Sequence, residues 1–239
     1  MKNKIILHLP HASTELPAEF YKNKFLISKE ELNQFNLDMT DLYTDELFNA
    51  DKYIHVKAKY SRIFCDVERF DKDFKEPMSK VGMGMVYSKD LTGQIFIKTD
   101  KKHKNNVLKN YYRPYHKNLT EIVKDEFKIK TVVLLDCHSF SNKTIECFAK
   151  LDCIPDMCIG VNYANKHNYK LITTILYYFN ELGYDVMINH PYSGSIVPNK
   201  ISEKRNKNFY SIMIEINKDL YLKNNNEKSE NFNKLKNDI

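Results

Sequence analysis

Residues 131–140 read TVVLLDCHSF, and this stretch decides the fold. Val132, Val133, Leu134 and Leu135 make an unbroken apolar run, the pattern of a strand buried on both faces at the centre of a largely parallel sheet. The run closes on Asp136, Cys137, His138 and Ser139. Side chains alternate along a strand, so Asp136 and His138 share one face and Cys137 takes the other.

Working outward, IILHL at 5–9 is a strand that stops at Pro10, because proline cannot donate to a ladder. YIHVKA at 53–58 and SRIFCDV at 61–67 are strand-like, DVMINHPYSG at 185–194 is a strand running into a loop, and FYSIMIEINKDLYL at 209–222 holds a strand with Glu215 inside it. Between them, 38–50 carries Leu42, Tyr43, Leu47 and Phe48 at helical spacing, with Asp38 or Thr40 as cap. Residues 103–126 read as a helix with Pro114 awkwardly in its middle, and 163–181 as a helix closed by Gly183. The segment 71–100, with Gly82, Gly84 and Gly93, reads as loops with a short hairpin. This alternation predicts an α/β fold with one sheet covered by helices, as a single domain over 1–222 followed by a polar tail at 223–239. In such sheets ligands bind beyond the carboxyl ends of the strands.

The bulk properties exclude several classes. The net charge of +6 comes from dispersed lysines, whereas arginine is confined to Arg62, Arg69, Arg113 and Arg205, so a nucleic-acid partner is not expected. No apolar run approaches the roughly 20 residues of a membrane span, and the N-terminal apolar stretch is too short for a signal peptide. The five cysteines show no CxxC pair; Cys65 and Cys137 sit in apolar runs and read as buried free thiols of a reducing, cytoplasmic compartment. No GxSxG, GxGxxG or GxxxxGK[ST] occurs, which removes the motif support for a serine hydrolase or a nucleotide site.

Chemistry therefore rests on ionisable groups where apolar runs stop: His11 after LHLP, Asp136 and His138 in DCHS, and Glu215 between isoleucines in IMIEI. A buried carboxylate flanked by isoleucines is costly without a partner. Two histidines and one carboxylate are the usual protein ligands of catalytic zinc, with water in the fourth position. The carboxylate is open at this point among Glu15, Asp38, Asp41 and Asp45. Asp136 suits the role of a carboxylate that orients a ligating histidine.

PHAS at 10–13, DMTDLYTDELF at 38–48, SRIFCDVERF at 61–70, EPM and GMGMVY within 76–87, DCHSF at 136–140, NHPYSG at 189–194 and IEINKDLYL at 214–222 together resemble the N-formylglutamate amidohydrolase family, in the family's order. The resemblance implies a phosphorylase/hydrolase-like three-layer domain with a mixed central sheet, akin to zinc carboxypeptidases and aspartoacylase-like deacylases. It implies cleavage of N-formyl-L-glutamate to glutamate and formate, with a small acidic N-acyl amino acid as substrate and Zn2+ as cofactor. By analogy His11, Asp41 and His138 are the metal ligands and Glu215 is the general base and acid, supported by Asp136. Arg62 and Arg69 are the first choice for gripping the acidic substrate and Arg113 and His116 the second, with Tyr192 and Gly194 lining the pocket. The sequence departs from the family pattern at Glu68, where asparagine is common, and at Lys218, where arginine is usual. A small-peptide or cell-wall amidase, and a non-catalytic binding protein on the same fold, are the alternatives.

Overall fold

The computed structural model describes residues 4–127, 131–148, 151–162, 168–199, 201 and 208–239. Arg205 and residues 163–167 of the expected helix at 163–181 lie outside them.

Residues Val132–Phe140 form the strand the apolar run predicts, here β3 in a sheet with β1 (Lys4–Leu9), β2 (Ile54–Lys57), β4 (Met157–Val161), β5 (Val186–Ile188) and β6 (Phe209–Asn217). The strand order is β2-β1-β3-β6-β4-β5. β1, β3 and β6 are mutually parallel, β4 runs antiparallel to β6, and β5 is parallel to β4, so the sheet is mixed. The helices are α1 (Lys29–Met39), α2 (Thr44–Leu47), α3 (Lys101–Val107), α4 (Arg113–Phe127), α5 (Asn142–Phe148), α6 (Tyr169–Glu181) and α7 (Phe232–Asp238). The architecture is α/β.

Register sorts the sheet into two unlike faces. Cys137 pairs with Ile214 and Leu135 with Ile212, and these side chains join Leu7, Leu9, Met157 and Ile159 in one apolar cluster. Ile172 and Phe179 of α6, Leu47 of α2, and Phe232 and Leu235 of α7 complete that cluster. Each such side chain contributes roughly 1.5–3 kcal/mol on burial. The alternate positions carry His8, Asp136, His138, Ser211, Glu215 and Cys158, aligned across β1, β3, β6 and β4. The same face also buries Ile6, Val132, Leu134, Phe209 and Met213 around these polar groups.

The chain gathers into two compact units, where the sequence reads as one domain over 1–222. The first comprises Met1–Leu9, Tyr43–Val56 and Thr120–Ile239 and contains the sheet's apolar cluster. The second comprises Pro10–Leu42 and Lys57–Leu119, with its own core around Phe20, Phe35, Phe64, Tyr87 and Phe96. The stretch at 223–239, read as a polar tail, carries α7 with Phe232 and Leu235 buried, and Lys228 Nζ reaches Glu46 at 2.6 Å. Its polar composition concealed two anchoring apolar residues.

Three local readings are corrected. SRIFCDV is not a strand: the N–H groups of Phe64 and Cys65 both donate to the Ser61 carbonyl, which makes a helical turn with Ile63, Phe64 and Val67 buried. The expected helix at 38–50 is split, because α1 ends at Met39 and Tyr43 takes φ 61°, a left-handed conformation that a helix interior does not allow. The helix expected at 103–126 runs through a π-helical turn at Leu108–Tyr112, where Arg113 N–H bonds to the Leu108 carbonyl just before Pro114. Widening the turn accommodates a proline that has no N–H for the preceding turn.

All five cysteines are free, with Cys65, Cys137 and Cys158 buried and Cys147 and Cys153 exposed. Burial pushes the Cys65 and Cys137 thiols up and takes Cys158 to about 11. Thiolate is the reactive form, and at pH 7 a pKa near 11 leaves a fraction on the order of 10⁻⁴. Mass-resolved alkylation of the native protein should therefore modify Cys147 and Cys153 and spare the other three until denaturant is added. Rapid labelling of Cys137 in the native state would contradict the burial described here.

Candidate active site

On the polar face of the sheet, Asp136 is the common acceptor. Its Oδ1 takes a hydrogen bond from His8 Nδ1 at 2.6 Å and another from His138 Nε2 at 3.1 Å. Its Oδ2 accepts the backbone N–H of Ile196 at 3.0 Å and faces the Ser195 hydroxyl at 3.4 Å. Ser195 and Ser211 share a hydroxyl contact of 2.7 Å, and Ser211 bonds back to the Ile196 carbonyl. The carboxyl is 1% exposed, yet the two histidines hold its pKa well below the usual carboxylate range against the opposing effect of burial. Donation from His138 Nε2 leaves the lone pair of the neutral ring at Nδ1.

Glu215 is buried at 8% exposure, between Ile214 and Ile216 in sequence and in register with His138 on β3 and Cys158 on β4. Strands lie about 4.8 Å apart, so Glu215 and His138 are immediate neighbours on this face. Gly160, on the same strand as Cys158, lets the Gly194 carbonyl approach: a Cβ added at 160 would meet that oxygen at 2.3 Å. The approach brings in the 189–196 segment, whose Asn189 Oδ1 accepts from Val161 N–H and Gly194 N–H.

In the second unit Asp66 plays the equivalent part. Its Oδ1 accepts from His11 Nε2 at 2.9 Å and from Glu68 N–H at 3.0 Å. Its Oδ2 accepts from Arg62 Nε and Nη2 at 3.1 and 3.0 Å and from the Tyr87 hydroxyl at 2.8 Å. Asp66 is fully buried, but Arg62 foremost, then His11 and Arg69, hold its pKa well down. The other ring nitrogen of His11, Nδ1, lies 3.7 Å from Asp41 Oδ2. Burial and the charge of Arg62 oppose protonation of His11, but Asp66 and Asp41 outweigh them and raise its pKa. The 3.7 Å separation of His11 Nδ1 and Asp41 Oδ2 is near the roughly 3.3 Å between two ligands of one tetrahedral zinc with bonds of about 2.0 Å, and Glu68 offers a further carboxylate oxygen within 4.8 Å of a His11 ring nitrogen. A carboxylate on the far ring nitrogen is also the usual support of a metal-bound histidine.

Of the four carboxylates left open by sequence, Asp41 is the one placed against His11. Glu15 is surface-exposed and lies 4.0 Å from Lys59, Asp38 accepts from Gln34, and Asp45 lies in the first turn of α2. Among the arginines, Arg62 is committed to Asp66, Arg69 Nε is buried and 3.6 Å from Asp66 Oδ2 without a hydrogen-bond partner among the described residues, and Arg113 is exposed. His116 donates from Nε2 to the Val67 carbonyl at 2.7 Å, a backbone-holding contact. Tyr192 packs its ring against Phe140 and its carbonyl accepts from Cys158, while Gly194 adopts φ +83°. Sequence reasoning missed His8, Asp66 and Tyr87. His8 had a signal, a histidine between two leucines in a strand; Asp66 and Tyr87 lay inside the SRIFCDVERF and GMGMVY pieces of the resemblance without being given a part in the site.

A family model for N-formylglutamate amidohydrolase matches residues 3–222. The chain belongs to this family. Comparison with curated proteins gives no significant match. Among solved structures the chain resembles the N-formylglutamate amidohydrolase from Ralstonia eutropha JMP134, at 23% identity and TM-score 0.80, over 98% of this chain and 89% of the other. It also resembles the gene product Atu2144 from Agrobacterium tumefaciens, at 18% identity and TM-score 0.62, over 92% and 82% of the two chains. At these identities the likeness is one of fold, and it agrees with the mixed sheet described above. Membership in the amidohydrolase family gives the chain a reaction class. Among the described residues no helix is long and apolar enough to cross a membrane.

Proposed function

We propose that this chain hydrolyses the amide of a small acidic N-acyl amino acid, with N-formyl-L-glutamate the first candidate, and that it does so with a divalent metal. The observation that carries the reading is Glu215: a buried carboxylate in register with His138, on the sheet face that also carries His8 and Asp136. By the family resemblance His11, Asp41 and His138 are the residues that would hold the metal, which when bound polarises the amide carbonyl and acidifies water. Zinc suits this donor set best.

The protein's own groups then divide the work. Asp136, by accepting from His138 Nε2, orients that ring and fixes its tautomer; Asp66 does the same for His11 Nε2. Glu215 accepts a proton as water adds to the carbonyl carbon, then returns it to the nitrogen as the C–N bond breaks, releasing formate and the amine of glutamate. Arg69, whose donors Asp66 does not use up, matches the substrate's side-chain carboxylate better than Arg62, which is already engaged.

The test is elemental analysis of protein purified without added metal, beside His138→Ala, with formate release from N-formyl-L-glutamate followed in both. The expected result is about one metal per chain and turnover in the parent, with both lost in the variant. Full metal content and unchanged turnover in His138→Ala would remove His138 from the site.

A further inference from the structure

Loop 66–69 carries Asp66, Glu68 and Arg69, and the segment 112–116 holds its backbone at two points. The Tyr112 hydroxyl donates to the Arg69 carbonyl at 2.7 Å, and His116 Nε2 donates to the Val67 carbonyl at 2.7 Å. The two rings lie one helical turn apart with centroids 4.2 Å from each other, tilted by 41°. Inside the loop, Asp66 Oδ1 accepts Glu68 N–H and the Asp66 carbonyl accepts Arg69 N–H. The inner donors are therefore satisfied by Asp66, and the outward carbonyls of Val67 and Arg69 by the helix. Tyr112 is the last residue of the π-helical turn and His116 lies in the first turn of α4, so the widened turn ahead of Pro114 sets where both donors point. Single π turns recur at functional sites.

We infer that Tyr112 and His116 are positioning residues: by clamping the backbone of Val67 and Arg69 they aim the Arg69 guanidinium and so set the preference for an acidic substrate. The inference rests on the reading of Arg69 as the group that meets the substrate's carboxylate. Arg69 needs such a clamp because its own anchor is weak. Arg62 and Tyr87 already saturate Asp66 Oδ2, and Arg69 Nε stands 3.6 Å from that oxygen. A guanidinium with so loose a tether keeps its direction only if its backbone is fixed. Small misplacements of a binding group weaken binding and rate steeply.

The experiment compares N-formyl-L-glutamate with its neutral analogue N-formyl-L-glutamine in the metal-loaded enzyme, for the parent, Tyr112→Phe, His116→Phe, His116→Gln and Arg69→Ala. Tyr112→Phe and His116→Phe should raise KM for the acidic substrate by about tenfold with kcat within about twofold, and leave the neutral substrate unchanged. His116→Gln, which keeps an N–H near the Nε2 position, should restore most of the difference. In an Arg69→Ala background, Tyr112→Phe should cost no further discrimination, because the clamp acts through Arg69. Hydrogen exchange of the peptide spanning 66–70 should rise in Tyr112→Phe and His116→Phe, a readout that needs no turnover. Equal loss on both substrates, or unchanged KM together with unchanged exchange, would overturn the inference. A parent enzyme that hydrolyses neither substrate would instead overturn the functional reading and the substrate preference with it, while exchange alone would still report on the clamp.

Discussion

Glu215→Gln should keep its metal and lose kcat by about 10²- to 10⁴-fold, the usual worth of a positioned acid–base group. Glutamine has nearly the same shape, so packing between Ile214 and Ile216 is preserved and the change is confined to proton transfer. The measurement is steady-state formate release beside metal content. KM should move little, since a proton acceptor acts in the transition state and not in substrate binding. Turnover within a few fold of the parent would mean that another group takes the proton and that Glu215 is a buried structural carboxylate.

The second large effect concerns folding. Asp136→Ala should cost about 3–5 kcal/mol, because removing one partner of a buried charged cluster leaves the others uncompensated. His8 Nδ1, His138 Nε2 and Ile196 N–H all lose their acceptor. Asp136→Asn should not rescue the loss: both carboxyl oxygens accept hydrogen bonds, and an amide must turn its NH2 toward one of those donors. The readout is the urea midpoint at constant m. The acid limb of stability follows the same group. Its folded pKa is depressed, so its contribution is complete above the unfolded value near 4 and is lost as pH falls through the lower folded value. Asp66 adds to that limb with the same sign. His11, whose pKa Asp66 and Asp41 raise against burial and Arg62, has the opposite sign: its contribution is complete below the unfolded value near 6.5 and fades as pH rises through the folded one. An Asn variant as stable as the parent, with an unchanged acid limb, would show that Asp136 is not the hub described.

Much of this was legible in sequence wherever the signal was local. The apolar run at 132–135 gave β3, and strand alternation alone put Asp136 and His138 on one face. Glu215 stood out because a carboxylate between isoleucines demands explanation. What was not legible depended on pairings distant in sequence. The register that sets Glu215 beside His138 is a property of two strands, and the antiparallel course of β4 could not be guessed from MCIGV. His8 lies inside β1 and not at its end, and only the pairing of β1 with β3 brings it to Asp136. SRIFCDV misled because a buried helical turn and a buried strand share an apolar composition over so short a length, and that error hid Asp66. His116 showed its type but not its task, which only its contact with the Val67 carbonyl revealed.

The hydrogen bond between His8 and Asp136 joins residues 128 positions apart, and Ile196 reaches the same carboxylate from 60 positions further on. Synthesis therefore delivers His8 well ahead of both of its partners in this cluster. Until β3 appears, β1 has no parallel neighbour on that side, and until β6 appears the polar face lacks Glu215. Closing such long loops is entropically slow and comes late. The polar face is therefore complete only once β6 has been made, and a nascent chain released before residue 217 would carry both histidines and the aspartate without the complete strand that supplies their carboxylate neighbour.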